Sequence, residues 1–221
     1  MTEPRFLDRA DAGRQLAAGL AEYRKTGPVV LGIPRGGVVV AAEVAWALDA
    51  ELDVVVAKKL GAPGQQELAI GAVTADGGRY LNEELIESLG VSRSYLDAVT
   101  AVQAREARER EQRLRRDRPA VPLEGRVVII VDDGLATGAT ALAAVRSVRA
   151  RRPAKVIVAV PVGSDRSCER LRVEAEVVCL NELASLRAIG FYYREFFPVD
   201  ETRVVALLAE ADRPVATAAK R

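Results

Sequence analysis

The sequence predicts an α/β protein with a mainly parallel central sheet flanked by helices, a small hood and a long inserted helix. Short apolar runs alternate along the chain with segments of helical character, which is the pattern of a parallel sheet covered by helices. The run Val127–Val131 is made only of Val and Ile, as expected of a strand buried on both faces. Gly and Pro separate many of these segments, so the apolar runs are bounded by turns.

Strands are predicted where short apolar runs end in turn or polar residues. In chain order they are 29–33, 52–57, a hairpin of 69–73 and 79–81, 127–131, 156–160 and 176–180. The tetrapeptide Ala75-Asp76-Gly77-Gly78 supplies the hairpin turn. The segment Leu60–Glu67 is rich in Gly, Pro and Gln without periodicity, which indicates a loop.

Helices are predicted between these strands, and their ends are marked by capping and stop residues. Gly27-Pro28 ends an amphipathic helix that starts near Asp8, and Pro119 follows a long charged helix. Side chains expected to cap helix N-termini are Asn82, Ser92, Ser164 and Asp200. The predicted helices are 8–25, 38–48, 82–90, 92–117, a segment after the loop 134–138 that ends at 151–152, 164–173 and 200–211.

Length and composition indicate one domain of ordinary globular type. The 221 residues fit a single domain, assigned to 1–212 with a hood candidate at 181–198, an inserted helical segment at 83–117 and a flexible tail at 213–221. A net charge of +1 argues against nucleic acid as a partner, and the lack of a long apolar run argues against a membrane span. A cytoplasmic location is expected. Cys168 and Cys179 lack metal-motif spacing, so both are expected to be buried as small apolar residues.

The absence of histidine restricts the chemistry that this chain can perform. With no histidine in the sequence, Ser-His or Cys-His nucleophilic catalysis and His-ligated metals are excluded. Acid–base steps would fall to Asp, Glu, Lys or Tyr. The metal most compatible with this chemistry is a hard cation such as Mg²⁺, held mostly by ligand phosphates and water.

The segment Val127–Thr140, VVIIVDDGLATGAT, is the most informative part of the sequence. A buried strand delivers Asp132 and Asp133 to a sheet edge, and a loop of small residues then opens a helix. Ligands of open α/β sheets bind at such strand ends, and a helix N-terminus attracts anions. The two carboxylates suit sugar hydroxyls and the loop suits a phosphate, and a ribose 5-phosphate needs both.

This segment resembles the phosphoribosyl-pyrophosphate signature of type I phosphoribosyltransferases. A strand ending in Asp-Asp also occurs in receiver domains, but there it lies near the chain start and no Thr-Gly-x-Thr follows. A generic strand-to-helix turn is the other alternative. The resemblance implies that Asp132 and Asp133 hold the ribose 2′- and 3′-hydroxyls, with Mg²⁺ carried by the substrate or held by either acid through water. It also implies that a loop wraps the 5-phosphate, made of Ala136, Thr137, Gly138, Ala139 and Thr140.

Three further parts of such a site have candidates. The glycine-rich turn after the first strand resembles the family's pyrophosphate loop, with Arg35, Gly36 and Gly37 as phosphate contacts and a cis peptide before Arg35. Lys58 or Lys59 could neutralise the departing pyrophosphate, the alternative being solvated lysines. The segment 60–70 would be the mobile loop that excludes water, and its acid Glu67 is either a base or a plain exposed side chain.

The acceptor is left open by the sequence. Phe191, Tyr192 and Tyr193 in the hood could stack on a flat base, although packing in the core is the favoured interpretation. Many enzymes that act on 6-oxopurines carry an acid where this chain has Ala136, which argues against those bases. The Pro-Arg-Gly-Gly and Lys-Lys-Leu-Gly-Ala-Pro-Gly patterns resemble a bacterial subgroup of phosphoribosyltransferases with unassigned substrates.

The leading functional hypothesis is therefore an Mg²⁺-dependent transfer of phosphoribosyl from 5-phospho-α-D-ribose 1-diphosphate to a nitrogenous base, which releases pyrophosphate. The alternatives are a non-catalytic regulatory protein that binds the same diphosphate, and a phosphohydrolase or lyase acting on a ribose phosphate. A homodimer is common in the family. The long helix mixes Glu and Arg at i,i+4 spacing, so a solvated or dimer-forming helix is favoured over an RNA surface.

Overall fold

The computed structural model describes residues 5–211, which contain eight strands and seven α-helices. The strands are β1 (Val29–Gly32), β2 (Glu51–Val54), β3 (Ala57–Ala62), β4 (Gln65–Thr74), β5 (Arg79–Leu81), β6 (Val127–Val131), β7 (Lys155–Ser164) and β8 (Glu176–Leu183). The helices are α1 (Arg9–Ala18), α2 (Gly36–Leu48), α3 (Glu83–Ser88), α4 (Arg93–Arg115), α5 (Ala139–Ala150), α6 (Asp165–Arg172) and α7 (Glu201–Ala211). Two short 3-10 helices lie at Ala21–Thr26 and Ile189–Tyr192. The predicted tail at 213–221 lies outside the described residues.

Five strands form the predicted parallel sheet, in the order β2-β1-β6-β7-β8. The register pairs Gly32 with Val131 and Val131 with Ala159, and every neighbouring pair is parallel. The carboxyl ends of β1 and β6 are therefore level with each other. This arrangement brings the glycine-rich turn and the two acids to one edge of the sheet, as the sequence predicts.

Helices cover both faces of this sheet because the side chains of its strands alternate between two apolar clusters. Val30 packs with α1, α2 and α7, whereas Leu31 packs with α5 and α6. Ile129 and Ile130 in β6 divide in the same way. A strand buried on both faces needs a continuous β-branched run rather than alternation, and β6 has that run.

The prediction of a loop at Leu60–Glu67 is wrong, because these residues belong to a β-hairpin. Strands β3 and β4 pair antiparallel, and Ala62 pairs with Gln65 across the turn. Gly64 adopts a φ of +73° in this turn, a conformation that glycine adopts without strain. Leu60 and Ile70 are fully buried in the apolar cluster beneath the hairpin. The glycine and proline that suggested a loop supply a tight turn between two strands.

Several element boundaries also differ from the predictions, for example the ends of β7 and β8, which extend to Ser164 and Leu183. The second strand ends at Val54 rather than at 57, and β3 begins at Ala57 in the separate three-stranded sheet β3-β4-β5. The first helix breaks near Gly19 and continues as a 3-10 helix. Helix α2 begins at Gly36, so both glycines of the predicted turn lie in its first turn.

The long helix α4 packs one face against its own chain and leaves the other face exposed to solvent, and the expectation that it forms a dimer stays a prediction. Ala107 and Leu114 on one face are buried, and its N-terminal half covers the small sheet. Arg115 Nε lies 2.8 Å from Asp53 Oδ1, with side chains 12% and 3% exposed. The helix is therefore attached at its C-terminal end to β2 by a buried ion pair.

The hood segment crosses the sheet edge beside the start of the described chain. Phe6 forms a parallel bridge with Tyr193, and the two rings lie 5.4 Å apart. Within residues 5–211, no helix is both long enough and apolar enough to cross a bilayer.

Candidate active site

A cavity of about 750 Å³ lies at the carboxyl ends of β1 and β6. Eleven of the thirteen predicted site residues line it: Arg35, Gly36, Lys58, Lys59, Glu67, Asp132, Asp133, Ala136, Thr137, Gly138 and Thr140. Gly37 and Ala139 lie behind its wall, since Gly37 is packed on Asp132 and Ala139 is buried. The structure thus brings together residues that are about 100 positions apart in the sequence.

The two acids occupy different electrostatic environments. Burial, and then the neighbouring carboxylate of Asp133, raise the pKa of Asp132 well above its usual range. The main-chain amide of Asp133 donates to Asp132 Oδ1 at 2.8 Å. Asp133 instead accepts from Arg9 Nε at 2.7 Å. Asp133 is therefore an ion-paired carboxylate, whereas burial favours the neutral form of the Asp132 carboxyl group.

The glycines of the turn after β1 are required by the close approach of the diacid. A Cβ at Gly36 would lie 1.9 Å from Asp133 Oδ2, and one at Gly37 would lie 2.9 Å from Asp132 Oδ1. The peptide bond between Pro34 and Arg35 is cis, as the resemblance implies. Only glycine lets this loop pack directly on both acids while its main chain faces the cavity.

The loop between β6 and α5 has the geometry of an anion cradle. Gly138 has a φ of +76° and precedes the first residue of α5. The first amides of a helix have no intrahelical acceptor and point outward, so they can bind an anion. Two hydroxyls, one at the end of β7 and one in α6, hold the loop from behind, because Ser164 Oγ and Ser167 Oγ donate to the carbonyl of Ala136 at 3.2 and 2.7 Å.

The predicted catalytic residues lie on the β3–β4 hairpin and not at the end of a central strand. Lys58 is paired with Glu106 at 2.5 Å, which lowers the pKa of Glu106. Lys59 and Glu67 are exposed at the cavity mouth. Since Lys58 already has an anionic partner, Lys59 and Arg35 are the cations at this mouth for which the structure shows no ion pair among the described residues.

The hood places its aromatic side chains away from the cavity. Tyr192 and Tyr193 are buried, and the Tyr193 hydroxyl donates to the main-chain oxygen of Asp133 at 2.6 Å. Phe191 is 66% exposed and is not among the residues that line the cavity. The idea that these three rings stack on a base is not supported, and Ile189, Pro198 and Val199 face the cavity instead.

Arg9 and Arg110 line the cavity and were missed by the sequence interpretation. The Arg9 guanidinium lies 3.7 Å from the centre of the Phe196 ring and donates to the main-chain oxygen of Phe197 at 2.8 Å. Arg110 Nε lies 2.7 Å from Glu201. Both arginines reach the site from distant helices, and no local motif marks either of them.

The residues at this edge fit a hard cation held mainly by a substrate. The available protein donors are the carboxylate oxygens of Asp132 and Asp133, and oxygen donors suit Mg²⁺. Asp133 is engaged by Arg9, and Asp132 by a main-chain amide. The two acids therefore do not form a complete set of metal ligands by themselves. The donor set matches a metal that arrives with phosphate oxygens and keeps several waters.

The parallel sheet and the residues gathered at its edge have the arrangement that the resemblance implies for a phosphoribosyl transferase domain. The family model described as "Phosphoribosyl transferase domain" matches residues 6–195. The chain belongs to this family.

The relatives carry the family name without a substrate. Two proteins of Mycobacterium tuberculosis, Rv0571c of strain H37Rv and MT0597 of strain CDC 1551, are each 49% identical over 214 residues and are named as phosphoribosyl transferases. The match covers 96% of this chain and 48% of each relative, so the chain spans about half their length. The crystal structure of TT1426 from Thermus thermophilus is 47% identical, with a TM-score of 0.80 over 93% of this chain and 98% of that chain.

Proposed function

We propose that this chain transfers the phosphoribosyl group of 5-phospho-α-D-ribose 1-diphosphate to a nitrogenous base and releases pyrophosphate. The observation that supports this most directly is the meeting of the acids, the anion loop and the Pro34–Gly37 turn around one cavity. A ribose ring that carries a phosphate at one end and a diphosphate at the other needs these three contacts.

In this proposal each wall of the cavity has a separate task. Asp132 and Asp133 accept the ribose hydroxyls, and the amides and hydroxyls of the 136–140 loop hold the 5-phosphate. Arg35 and the amides of Gly36 and Gly37 hold the diphosphate. Mg²⁺, when bound with the substrate, would neutralise charge on the leaving pyrophosphate.

The hairpin is proposed to supply the remaining cationic charge. Lys59 faces the cavity mouth, where an ammonium group would stabilise pyrophosphate as it departs. Glu67 on the same hairpin is the candidate base for an acceptor N–H. The tip of this hairpin is proposed to close on bound substrate, since an oxocarbenium-like state must be shielded from water.

The acceptor is proposed to lie between the diacid and the hood. This part of the wall is formed by Leu135, Ile189, Pro198 and Val199, so a flat ring would meet aliphatic surface. Ala136 cannot titrate, which argues against a 6-oxopurine. We also propose a cytoplasmic location, where free thiols such as Cys168 and Cys179 normally persist.

The test is pyrophosphate release from the diphosphate in the presence of Mg²⁺, measured with a panel of purine, pyrimidine and pyridine bases. Release that depends on one added base supports the transferase. Tight binding without turnover across the panel would favour the regulatory alternative, and release without any base would favour a hydrolase or lyase. Absence of binding would contradict the whole proposal. A Gly36→Ala variant is the negative control. Its methyl group would collide with Asp133, so base-dependent release of pyrophosphate should be lost.

A further inference from the structure

Two cysteines that the proposed reaction does not use lie together behind the 5-phosphate loop. Cys168 is in α6 and is fully buried, and Cys179 is in β8 and is partly buried. Their sulfur atoms and a carboxylate oxygen of Glu182 all lie within 4.8 Å of one another. The sequence predicts two buried thiols without a shared motif, and the fold makes them neighbours.

The main chain is shaped to let the two sulfurs approach. Gly163 lies between them, and a Cβ there would be 2.9 Å from Cys168 Sγ and 3.3 Å from Cys179 Sγ. Hydrogen bonding between the thiols lowers the pKa of Cys168 and raises that of Cys179, because the first proton lost leaves a thiolate that the remaining S–H stabilises. The pair therefore loses its first proton more readily than an isolated buried thiol.

A resident metal fits this cluster less well than a covalent link between the sulfurs. The only other ligand in the cluster, Glu182, is already ion-paired with Arg172. A divalent cation would have to separate this pair and sit beside a guanidinium. Structural zinc sites usually supply four protein ligands, whereas this cluster contains three among the described residues.

The thiol pair is mechanically connected to the loop proposed to bind the 5-phosphate. Ser167, the residue before Cys168, donates to the carbonyl of Ala136. A Cβ built on Gly163 would also lie 3.2 Å from Leu135 Cβ, so the main chain of Gly163 is packed between the two sulfurs and the start of the loop. A contraction between the sulfurs would therefore act on residues adjacent to those that hold this loop.

We propose that Cys168 and Cys179 form a redox-sensitive pair, which a peroxide converts to a disulfide, and that this disulfide weakens binding of the 5-phosphate. One thiolate attacks the peroxide oxygen, forming a sulfenic acid and releasing hydroxide, which takes up a proton to become water. The second thiol then attacks the sulfenic sulfur, the S–S bond forms and a second water leaves. The sulfurs must close to about 2.0 Å, which pulls α6 toward β8. The consequence for phosphate rests on the proposed function, whereas disulfide formation does not.

The first test treats the full chain with hydrogen peroxide and measures its intact mass and its free thiols. The expected result is the loss of two hydrogen atoms per chain, reversed by a dithiol reductant, with a peptide linking positions 168 and 179. Cys168→Ala and Cys179→Ala should each abolish the link. If the variant at the fully buried position 168 does not fold, the variant at the half-buried position 179 still provides the test. Unlinked thiols after oxidation, or stoichiometric Zn²⁺ binding that protects both thiols from it, would overturn the proposal.

The second test measures binding of 5-phospho-α-D-ribose 1-diphosphate to reduced and oxidised protein by calorimetry. The dissociation constant of the wild type should rise several-fold on oxidation and recover on reduction. The Cys179→Ala protein should bind equally well before and after peroxide. Equal affinity of both wild-type forms, with the disulfide present, would overturn the coupling. Failure of the reduced protein to bind would count against the proposed function and leave the disulfide result standing.

Discussion

Asp133 has a double role at the level of single residues, since it is the partner of Arg9 and also the candidate ligand of a ribose hydroxyl. Arg9 and Asp133 side chains are 11% and 16% exposed, so their pair is only partly screened by water. The sequence predicted the acid from its motif but could not predict the arginine. Arg9 lies 124 positions away, and only the packing of α1 beside the hood brings it to the site.

Asp133→Asn tests the ribose contact. The variant keeps the shape of the side chain but loses a charge-assisted hydrogen bond, which is worth about 1.5–3 kcal/mol. Affinity for 5-phospho-α-D-ribose 1-diphosphate should fall roughly ten- to hundred-fold at that energy, as measured by calorimetry. The far-ultraviolet circular dichroism spectrum should be unchanged, and unchanged affinity would remove Asp133 from the site.

Thr137→Val tests the phosphate loop. Thr137 is exposed at the cavity, so replacing its hydroxyl with a methyl group should disturb the fold little. A hydrogen bond to a charged phosphate is worth about 1–3 kcal/mol, and the dissociation constant should rise accordingly. Thr26→Val is the matched control, since it removes a hydroxyl before β1, at the opposite end of the sheet. Equal effects of the two substitutions would mean that the loop does not contact phosphate.

The elements that the sequence predicts best are those whose signals are local. Strand β6 was predicted at its observed bounds because its β-branched run and following acids identify it without tertiary information. Asn82, Ser92, Ser164 and Asp200 do accept hydrogen bonds from helix N-terminal amides. The β3–β4 hairpin was not predicted, since its small residues carry little propensity and the cover of α4 stabilises it.

The ion pairs of α4 also cannot be predicted from the spacing of charges along the helix alone. Glu111 does pair with Arg115 within the helix, but Glu106 pairs with Lys58 and Arg110 pairs with Glu201. Spacing along a helix identifies which charges can meet, and tertiary packing decides which of them do. Its charges are therefore largely attachments to the rest of the chain.

Arg115→Met tests the attachment of α4 to β2. The substitution leaves Asp53 as a buried carboxylate without its cation, which typically costs about 3–5 kcal/mol. The free energy of unfolding in urea should fall by that amount. Arg105→Met, on the exposed face of the same helix, should change it by about 0.5 kcal/mol or less. Adding Asp53→Asn to Arg115→Met should restore part of the loss, and equal effects of both single variants would contradict a buried pair.

For the whole molecule, burial of Asp132 is expected to lower stability at neutral pH, because its raised pKa disfavours the charged form. The parallel sheet, its helices and the meeting of the Arg35–Gly37 turn with Asp132 and Asp133 at one edge followed from local patterns and from the geometry of parallel strands, whereas the approach of the β3–β4 hairpin did not. The sequence does not reveal how deeply each charged side chain is buried. Asp132 is the clearest case, because its burial beside Asp133 follows from the packing of α2 on β6.

Asp132 should give stability a specific pH dependence. Its pKa is raised in the folded protein, so the folded state holds its proton more tightly than the unfolded state. Its contribution is fully present below the unfolded pKa of about 3.9 and is lost as pH rises through the folded pKa. The slope from one such group is at most about 1.4 kcal/mol per pH unit.

Urea unfolding of the wild type and of Asp132→Asn between pH 4 and pH 8 measures the contribution of Asp132 to the free energy of unfolding. The difference in unfolding free energy should shift in favour of the variant as pH rises, because asparagine carries no charge to bury. Binding of the diphosphate should be weakened in the same variant. A difference that stays constant with pH would show that Asp132 titrates normally.

The contact between Arg9 and Asp133 has a thermodynamic consequence for recognition. A sugar hydroxyl can reach this carboxylate only by sharing it with, or displacing, a guanidinium that already sits there. Association is then an exchange of one hydrogen-bonded neighbour for another, and its net enthalpy is a small difference between two large terms. A deoxy analogue that leaves the guanidinium in place should therefore bind with nearly the same heat as the parent sugar.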